Sequence, residues 1–411
     1  DLHYPLRRQR QMCIRDSLDS AASAQKPSCV IDSMKKFQEE EYSNVHRGIH
    51  YLSNLATDQY ELSRAKVKNF INANSEDEII FTMGATDAIN LVAQSLSYDF
   101  FKPGDEIILT VMEHHSNIVP WHFLREKYGI KIKWVNCNND GIIRIEDFEK
   151  EISEKTKLIA ITQMSNVLGS EIPLKKIIKI AHEKNVKVLV DGCQGIAHLK
   201  TDVQDLNCDF YVFSGHKLYG PTGVGILYGK YDLLKSMYPW RGGGEMIKEV
   251  FKDKVTYSEP PAKFEAGTPN IVQAVGLGAA IDYFVSKKDQ GLFAYEEEIS
   301  KYFHDEINKL PKVKVYGEKN IKSPMISFTV EGSHPHDIAT IIDKEGVAIR
   351  AGQHCTQPLL DFFNVSSTAR ASIGMYTSKQ DIDIFINALN LSLIHISEPT
   401  RQEASSYAVF C

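Results

Sequence analysis

The chain has 411 residues, of which 43% are hydrophobic and 24% charged, and its formal net charge is −6. These values are typical of a globular protein large enough for two domains, and they exclude wholesale disorder. A negative net charge without a basic block argues against nucleic acids and anionic membranes as partners. The longest apolar runs have the length of strands, far below the ~20 residues that a membrane span needs.

The cysteine content indicates the redox state of the compartment in which the protein is found. There are seven in the chain, without a Cys-x-x-Cys pair. We expect no signal peptide, and this cysteine usage is typical of a reducing compartment rather than of a disulfide framework. We therefore expect a cytoplasmic protein.

The two ends of the chain differ from its body. Residues 1–17 show neither helical nor strand periodicity, and residues 392–411 depart from the helical pattern that precedes them. We interpret both as foreign translated sequence, with a basic targeting segment as the alternative for the first. Residues 18–31 are expected to pack on a small C-terminal domain.

Between these ends, strand patterns alternate with amphipathic helical patterns. Strands are predicted at 78–82, 106–110, 131–136, 158–162, 186–190, 209–213 and 223–228, and helices at 87–95 and 174–183. This alternation predicts an α/β fold with a mostly parallel, seven-stranded sheet covered by helices on both faces. The last strand follows its predecessor too closely for a helical crossover, so we expect it to be antiparallel.

The pattern changes from about residue 286. A helix is predicted at 295–309, followed by short strands at 313–316 and 325–330. This order is typical of an α+β unit. We therefore expect a large domain at 32–285 and a smaller domain at 286–391.

Chemistry-bearing residues follow two neighbouring strands, at the sheet edge where ligands bind in such folds. Asp191 comes directly after the strand at 186–190 and can pair with a protonated pyridine nitrogen, and Gln194 can bond a ring hydroxyl. Lys217 follows the next strand, and desolvation there would lower its pKa and make it a nucleophile. Taken alone, an aspartate at the end of a strand is more often a helix cap or a metal ligand. A lysine taken alone is more often a solvated surface charge. Together they predict a Schiff-base lysine in a pyridoxal phosphate (PLP) site.

A phosphate cup is predicted at the turn 82–87, which runs from a strand into a helix. Backbone N–H groups at a helix start, here those of Ala85 and Thr86, form an anion site. Ser214 and His216 can reach the same phosphate. A plain capping turn is the alternative for this segment.

Two further residues are candidates for contact with the PLP ring. His114 follows the strand at 106–110 and can lie over the pyridine ring and carry protons, although a lone histidine is more often structural. Asn166 follows the strand at 158–162 and can reach the ring oxygen. The predicted catalytic set consists of His114, Lys217 and Cys355, which is discussed below.

Seven runs spread over residues 18–391 carry a family resemblance. They are 44–48, 113–121, 165–169, 191–194, 214–217, 265–270 and 370–372. In these runs the chain resembles the aminotransferase class V family of fold-type I PLP enzymes, and within it the SufS-like, group II cysteine desulfurases. The resemblance implies a PLP-dependent enzyme that acts on L-cysteine.

The resemblance also implies residue roles and assembly. It implies a homodimer in which Thr268 reaches the phosphate of the neighbouring subunit's cofactor, with His46 and Arg47 near that site. Arg370 is implied to hold the substrate carboxylate, for which a planar guanidinium is suited because it grips both oxygens. A surface ion pair is the alternative for this arginine. Arg350 and Asn166 are expected beside the substrate as well.

Cys355 is the candidate sulfur carrier. It lies in a glycine-containing loop with His354 beside it and Arg350 nearby, a setting that favours a thiolate of low pKa. The resemblance implies that this thiol attacks the substrate sulfur, so that alanine leaves and a persulfide remains. A SufE- or SufU-like acceptor would then pass the sulfur to iron–sulfur cluster assembly. The cysteines expected to be inert are Cys29, Cys137, Cys193 and Cys208.

The chain departs from the family pattern at a few positions. Gln353 replaces a histidine that commonly precedes the loop His-Cys pair, which puts the deprotonation of the thiol and the docking of an acceptor in question. Ala85 and Asp87 stand where threonine and glutamate are usual, but the backbone cup and Thr86 remain. Arg241 receives no role.

Other functions compete with a desulfurase. A selenocysteine lyase shares the fold and every PLP residue, whereas the loop 350–355 argues against an epimerase or a kynureninase-like hydrolase. A non-catalytic partner-binding scaffold is disfavoured by intact Lys217, Asp191 and Gln194. His334 and His336 can bind a metal or an acceptor's metal-bound thiol, but two histidines alone do not make a zinc site, and we expect no metal.

Overall fold

The computed structural model describes residues 16–317 and 323–397. In these residues the strands are β1 (Asp16–Ser17), β2 (Ile79–Thr82), β3 (Glu106–Thr110), β4 (Lys131–Val135), β5 (Thr156–Thr162), β6 (Lys187–Asp191), β7 (Phe210–Ser214), β8 (Gly225–Gly229), β9 (Ile247–Val250), β10 (Val255–Tyr257), β11 (Val313–Tyr316), β12 (Met325–Val330), β13 (Val347–Ala348), β14 (Arg350–Gly352) and β15 (Thr368–Ser372).

The helices of the described residues are α1 (Ser28–Lys36), α2 (Tyr51–Phe70), α3 (Ala85–Leu96), α4 (Val119–Tyr128), α5 (Ile145–Glu151), α6 (Leu174–Glu183), α7 (Gly195–His198), α8 (Val203–Leu206), α9 (Tyr231–Ser236), α10 (Ile271–Asp289), α11 (Leu292–Ile307), α12 (Pro335–Lys344), α13 (Gln357–Phe362) and α14 (Lys379–Ser397). Short 3-10 turns include His115–Asn117 and Gly215–Lys217.

The large sheet has seven strands in the order β2-β8-β7-β6-β5-β3-β4. Strands β3 to β7 run parallel to their neighbours in that group, and β8 is antiparallel to both β2 and β7. The predicted fold class, including the antiparallel last strand, is therefore confirmed. The ends of the predicted strands differ from the observed ones by no more than two residues, and the strand at 106–110 matches at both ends.

Helices cover this sheet on both faces because its central strands are apolar on both sides. In β5, Ile159 and Ile161 belong to one hydrophobic cluster, and Leu158 and Ala160 belong to the other. Successive side chains of a strand point to opposite faces, so a fully apolar strand needs two packed layers. One layer contains helices α2, α6 and α10, and the other contains α3 and α4.

A smaller antiparallel sheet follows in the order β11-β12-β15-β14. Its core holds Phe303 of α11, Phe328 of β12, Ile338 of α12 and Phe385 of α14. The register places Arg370 of β15 opposite Arg350 of β14. The predicted domain bounds at residues 285 and 286 stay a prediction.

The segment after β1 packs on this smaller sheet. Leu18 is buried in the same core, and its backbone bonds Ala348 on one side and Ser372 on the other. At the other end, α14 continues to Ser397, past the change of pattern expected at residue 392. Residues 1–15 and 398–411 lie outside the described residues, so the predicted foreign origin of the ends stays a prediction.

A close backbone approach places the start of α3 at the carboxyl end of β7. A Cβ atom added to Gly225 of β8 would lie 2.5 Å from the Cα of Gly84, so only glycine fits there. Gly84 itself has φ +157° at the residue before α3. Because β8 pairs Gly225 with Ser214, the first turn of α3 meets the end of β7.

Two features are absent from the described residues. None of their helices combines the length and the apolar character that crossing a bilayer requires. In the same residues, no group of three or more His, Cys, Asp or Glu side chains is arranged to hold a metal ion. His334 and His336 stack with ring centroids 5.3 Å apart, and the Nδ1 of His334 accepts from the backbone N–H of His336.

Candidate active site

A cavity of about 250 Å³ lies where the carboxyl ends of β5, β6 and β7 meet the smaller sheet. Parallel strands direct the residues that follow them to one edge, and ligands of such folds bind there. The predicted site residues that line it are Lys217, Asp191, His114, Asn166, Ala85, Thr86, Ser214, His216, Arg350, Arg370 and Cys355. Eleven residues singled out from sequence thus share one space.

Lys217 and Asp191 provide the charged groups of the cavity floor. Asp191 ends β6, is 3% exposed, and accepts through Oδ1 from the backbone N–H of Cys193 at 3.0 Å. Lys217 ends the 3-10 turn that follows β7. Within the described ranges its Nζ makes no hydrogen bond or ion pair, which leaves the amine available to react. The two residues therefore offer an acid and an amine in one cavity.

The first turn of α3 forms the cup on one side of the cavity. The Ala85 N–H donates to the Oγ of Ser214 at 2.9 Å, and the exposed Thr86 lines the cavity beside it. Burial lowers the pKa of His216 to about 4, so this histidine is neutral at physiological pH. Neutral donors at a helix start are suited to an anion because the helix dipole is positive there.

The departure at Asp87 has a structural explanation. Its Oδ2 accepts from the Met83 N–H at 3.0 Å, which closes the turn before α3. Its Oδ1 lies 3.3 Å from Nη2 of Arg241, the residue without a predicted role. Arg241 in turn lies over the ring of Trp240 at 4.3 Å. Asp87 and Arg241 together therefore support the cup from outside.

His114 is held as a neutral imidazole. Its Nδ1 accepts from the Ser116 N–H at 3.2 Å and lies 2.6 Å from the Ser116 hydroxyl. Burial and the nearby charge of Lys217 lower the pKa of His114 to about 4. Because Nδ1 accepts, the single ring proton sits on Nε2. The ring is thus fixed in one tautomer with its other nitrogen free to exchange a proton.

Glu113 anchors the turn that carries His114. Its side chain is fully buried and accepts from Thr110 and from Asn117, each at 2.7 Å. The Nε1 of Trp121 then donates to the Oδ1 of Asn117. Burial raises the pKa of Glu113 to about 8, so its carboxyl group is protonated at neutral pH.

Replacing Glu113 with glutamine is expected to change the pH dependence of stability. The buried acid of Glu113 contributes fully to the free energy of unfolding below its ordinary pKa of 4.5. This contribution is lost as the pH rises from there through about 8, the pKa of Glu113 in the fold. Glutamine stays neutral, so the free energy of unfolding of Glu113→Gln minus that of the parent should rise between pH 5 and 8, by up to about 1.4 kcal/mol per pH unit.

Thermal unfolding of both proteins at several pH values checks this expectation. Glu297→Gln is the matched control, because Glu297 is exposed on α11. A Glu113→Gln difference that is flat with pH would show that Glu113 is ionised in the fold.

Two arginines face the cavity from the smaller sheet. Arg370 is 2% exposed and donates through Nη1 to the backbone oxygen of Asn166 at 2.8 Å. Its Nη2 donates to Asp19 at 3.1 Å, and Arg350 donates to the same carboxylate at 3.0 Å. The buried Nε of Arg370 has no hydrogen-bond partner in the described part of the chain. The described residues therefore leave one buried N–H of this guanidinium without an acceptor.

Cys355 lies at the mouth of the cavity. Its side chain is exposed, and its backbone has a left-handed φ of +56°. The preceding His354 is buried, and burial lowers its pKa to about 3. His354 bonds Thr368 through Nε2 rather than facing the thiol. Cys193 also lines the cavity but is buried, so Cys355 is the accessible thiol among the described residues that line it.

The other described cysteines differ from Cys355. Burial raises the pKa of Cys137 to about 11 and the pKa values of Cys193 and Cys208 to about 12. Cys29 is exposed on α1 away from the cavity, and partial desolvation raises its pKa. Thiols of raised pKa are poor nucleophiles at neutral pH.

Four predicted site residues do not line the cavity in one chain. Gln194 is buried and donates to the Ala21 backbone oxygen at 2.8 Å, so its amide holds the N-terminal segment. Thr268 lines a separate pocket with Arg241. His46 bonds Glu61 at 2.8 Å, and Arg47 pairs with Glu245. The predicted roles of Thr268 toward the cofactor and of His46 and Arg47 toward the substrate stay predictions.

Sequence reasoning missed three residues that shape the site. Asp19 joins both arginines, Ser116 fixes the tautomer of His114, and His115 bonds the loop that carries Cys355. The run 113–121 predicts a role for His114 and supports the family resemblance, but it does not single out His115 or Ser116. The sequence around Asp19 contains no signal of its role, because its partners Arg350 and Arg370 lie more than 300 positions away in the chain.

The residues that are present fit PLP. An amine without a partner, a buried carboxylate and a neutral cup at a helix start line the same cavity. These are the three groups that PLP requires for its aldehyde, its pyridine nitrogen and its phosphate. The neutral imidazole of His114 also lines this cavity, where it can cover an aromatic ring.

The fold and the site define a class of protein. The aminotransferase class-V family matches residues 17–385, and the chain belongs to this family. Within it, the chain is similar to cysteine desulfurases. It is 48% identical to a probable cysteine desulfurase from Halalkalibacterium halodurans, with 90% of this chain and 91% of that protein covered. It is 46% identical to a cysteine desulfurase from Pectobacterium atrosepticum, with the same coverage of both chains.

Solved structures agree with this family. The cysteine desulfurase CsdA from Escherichia coli, in an S-sulfonic acid form, is 38% identical with a TM-score of 0.88, covering 94% of this chain and 96% of that one. An apo cysteine desulfurase from Thermococcus onnurineus is 36% identical with a TM-score of 0.89, covering 93% and 95%. The resemblance drawn from the seven sequence runs is therefore confirmed.

Proposed function

We propose that the chain is a PLP-dependent cysteine desulfurase that converts L-cysteine to L-alanine and places the sulfur on Cys355. The observation that carries this proposal is that Lys217 and Cys355 line one cavity. An amine for PLP and a nucleophilic thiol then meet at the same substrate. The relatives named as cysteine desulfurases support the same reaction.

PLP, when bound, withdraws electrons from the substrate and so weakens the bond between its Cβ and its sulfur. Lys217 would attach it, Asp191 would bond its ring nitrogen, and His114 would cover its ring. Its remaining contacts would come from Gln194, Asn166, Ala85, Thr86, Ser214 and His216, and from Thr268 of a second copy.

The substrate carboxylate would bind Arg370. The free Nε of this guanidinium supports the assignment, since a buried N–H without a partner is costly unless a ligand satisfies it. Arg350 and Asn166 lie beside Arg370, whereas His46 and Arg47 would complete the pocket from a second copy. Lys217 Nζ and His114 Nε2 would move protons on and off the substrate, since both residues line the same cavity.

Sulfur transfer would use the thiolate of Cys355. It attacks the substrate sulfur, so a sulfur–sulfur bond forms as the Cβ–sulfur bond breaks. The bonding electron pair stays with Cβ, which takes up a proton, and alanine leaves. The proton balance closes because the proton lost by the Cys355 thiol equals the one gained by Cβ. The product on the protein is a persulfide.

The proposal extends to partners and location. A homodimer is proposed because Thr268, His46 and Arg47 lie outside the cavity of one chain. A SufE- or SufU-like protein would take the persulfide sulfur for iron–sulfur cluster assembly through the exposed Cys355. The five cysteines of the described residues form no disulfide bond, which supports a location in the reducing cytoplasm.

Replacing Arg370 with lysine is expected to weaken substrate binding more than turnover. Lysine keeps the charge but loses the fork that grips both carboxylate oxygens. The KM for L-cysteine should rise about a hundredfold, with a smaller fall in kcat. Steady-state alanine formation checks this, with Arg144→Lys as the control because Arg144 forms an exposed ion pair. An unchanged KM would remove Arg370 from the substrate site.

The function itself is tested by adding PLP and L-cysteine to the full chain. We expect a visible absorption band from lysine-bound PLP and formation of alanine, with L-selenocysteine measured in parallel. A protein that gains no band from PLP would be a scaffold rather than an enzyme. Alanine formation from L-selenocysteine alone would instead identify a selenocysteine lyase.

A further inference from the structure

The loop that carries Cys355 has a strained backbone. His354 and Cys355 are successive non-glycine residues with left-handed φ values of +52° and +56°. Side chains disfavour this region because Cβ approaches the following carbonyl oxygen. Such a conformation persists only where surrounding contacts hold it. The contacts of this loop therefore decide where the thiol points.

Residues from the large sheet hold the loop from outside. The His115 N–H donates to the Cys355 backbone oxygen at 2.7 Å. The amide of Asn166 donates to the His354 backbone oxygen at 2.9 Å and accepts from the Thr356 hydroxyl at 3.1 Å. His115 follows β3 and Asn166 follows β5, whereas the loop belongs to the smaller sheet.

The ring of His115 makes a second contact just after the thiol. Its Nε2 accepts from the backbone N–H of Gln357 at 3.2 Å. Gln357 is the first residue of α13, and its N-cap residue Thr356 provides no side-chain cap. An imidazole from a distant turn therefore caps this helix. Burial lowers the pKa of His115, which keeps the ring neutral and able to accept.

We propose that His115 is a positioning residue that fixes the Cys355 thiol against the cavity. It would do so by bonding both sides of the cysteine: its backbone N–H at Cys355 and its ring at Gln357. The neighbouring His114 faces the cavity, with its ring centroid 6.4 Å from that of His115. His114 would thus contact the cofactor, while the adjacent His115 bonds the loop that carries Cys355. This inference rests on the proposed desulfurase function.

Substitutions at His115 separate its ring contact from its backbone contact. His115→Ala removes the acceptor at Nε2 and keeps the backbone bond to Cys355. His115→Gln restores an acceptor oxygen near the position of Nε2. His122→Ala is the matched control, because His122 is a partly exposed histidine on α4 outside the cavity.

The first readout is hydrogen exchange of the Gln357 amide, which does not depend on activity. In His115→Ala this amide should exchange about tenfold faster, because its hydrogen bond is lost. In His115→Gln and His122→Ala it should exchange at the parental rate. Parental protection in His115→Ala would overturn the proposal.

The second readout is the reaction of PLP-loaded protein. His115→Ala should form alanine with a kcat about tenfold lower, since small misplacements of reacting groups are costly, and with a KM changed by less than about twofold. The absorption change on adding L-cysteine should match that of the parent, and His115→Gln should restore the rate. An unaltered kcat in His115→Ala, or a KM that rises with it, would overturn the positioning role. Absence of alanine formation in the parent would instead refute the proposed function and leave the exchange result to decide the contact.

Discussion

Replacing Lys217 with alanine is expected to abolish both the visible absorption of bound PLP and the formation of alanine. Lys217 is the amine that lines the cavity with the carboxylate of Asp191. Without the proposed attachment point, PLP would have no covalent link to the protein, and the substrate would lose the proposed lysine base. We expect the rate to fall by about three orders of magnitude or more, as for other residues that act as part of one catalytic unit.

A second variant separates chemistry from folding. Lys217→Arg keeps the positive charge and a similar length but cannot form the covalent link, so it should fail as completely as Lys217→Ala. Lys150→Ala should behave as the parent, because Lys150 is an exposed residue of α5. A Lys217→Arg protein with parental absorption and activity would show that another amine binds the cofactor.

Replacing Cys355 with serine is expected to leave the PLP absorption intact and to remove sulfur transfer. Serine preserves the size of the side chain but cannot form a persulfide. Turnover of L-cysteine to alanine should fall about a hundredfold or more, since the nucleophile that takes the sulfur is lost. Absorption spectra and alanine assays on the same preparation check both halves of the expectation.

The control for this variant is Cys29→Ser, which changes the other exposed cysteine of the described residues. Its activity should equal that of the parent. If Cys355→Ser keeps full activity while Cys29→Ser loses it, the sulfur carrier has been assigned to the wrong residue.

The fold could be predicted from sequence because its signals are local. Strands that are apolar on both faces, such as β5 and β6, produce uninterrupted hydrophobic runs that only a two-layered sheet accommodates. The short connection before Gly225 was enough to predict an antiparallel strand. Strand ends moved by a residue or two, since local pattern does not fix where hydrogen bonding stops.

The floor of the site was predictable for the same reason. Asp191 and Lys217 each follow a strand of one parallel sheet, so the topology brings them to one edge. The partners of the two arginines were not predictable in this way. Asp19 and Arg370 are 351 positions apart in the chain, and only the packing of the N-terminal segment on the smaller sheet joins them.

Gln194 has a partner in the structure that its spacing along the chain did not predict. It lies three residues after Asp191, yet its amide turns to the backbone oxygen of Ala21. His46 and Arg47 are likewise engaged by glutamates within their own chain. Spacing along the chain places a residue near a site, but it does not determine which partner its side chain selects. Their roles toward the cofactor and substrate stay predictions.

The central claim is that sulfur from L-cysteine becomes bound to Cys355. The most direct measurement is mass spectrometry of the PLP-loaded chain after a single turnover with L-cysteine, with alanine counted in the same sample. We predict one added sulfur atom on the peptide that contains Cys355, in equal amount to the alanine formed. Alanine formed without sulfur on that peptide, or sulfur carried by another cysteine, would contradict the account.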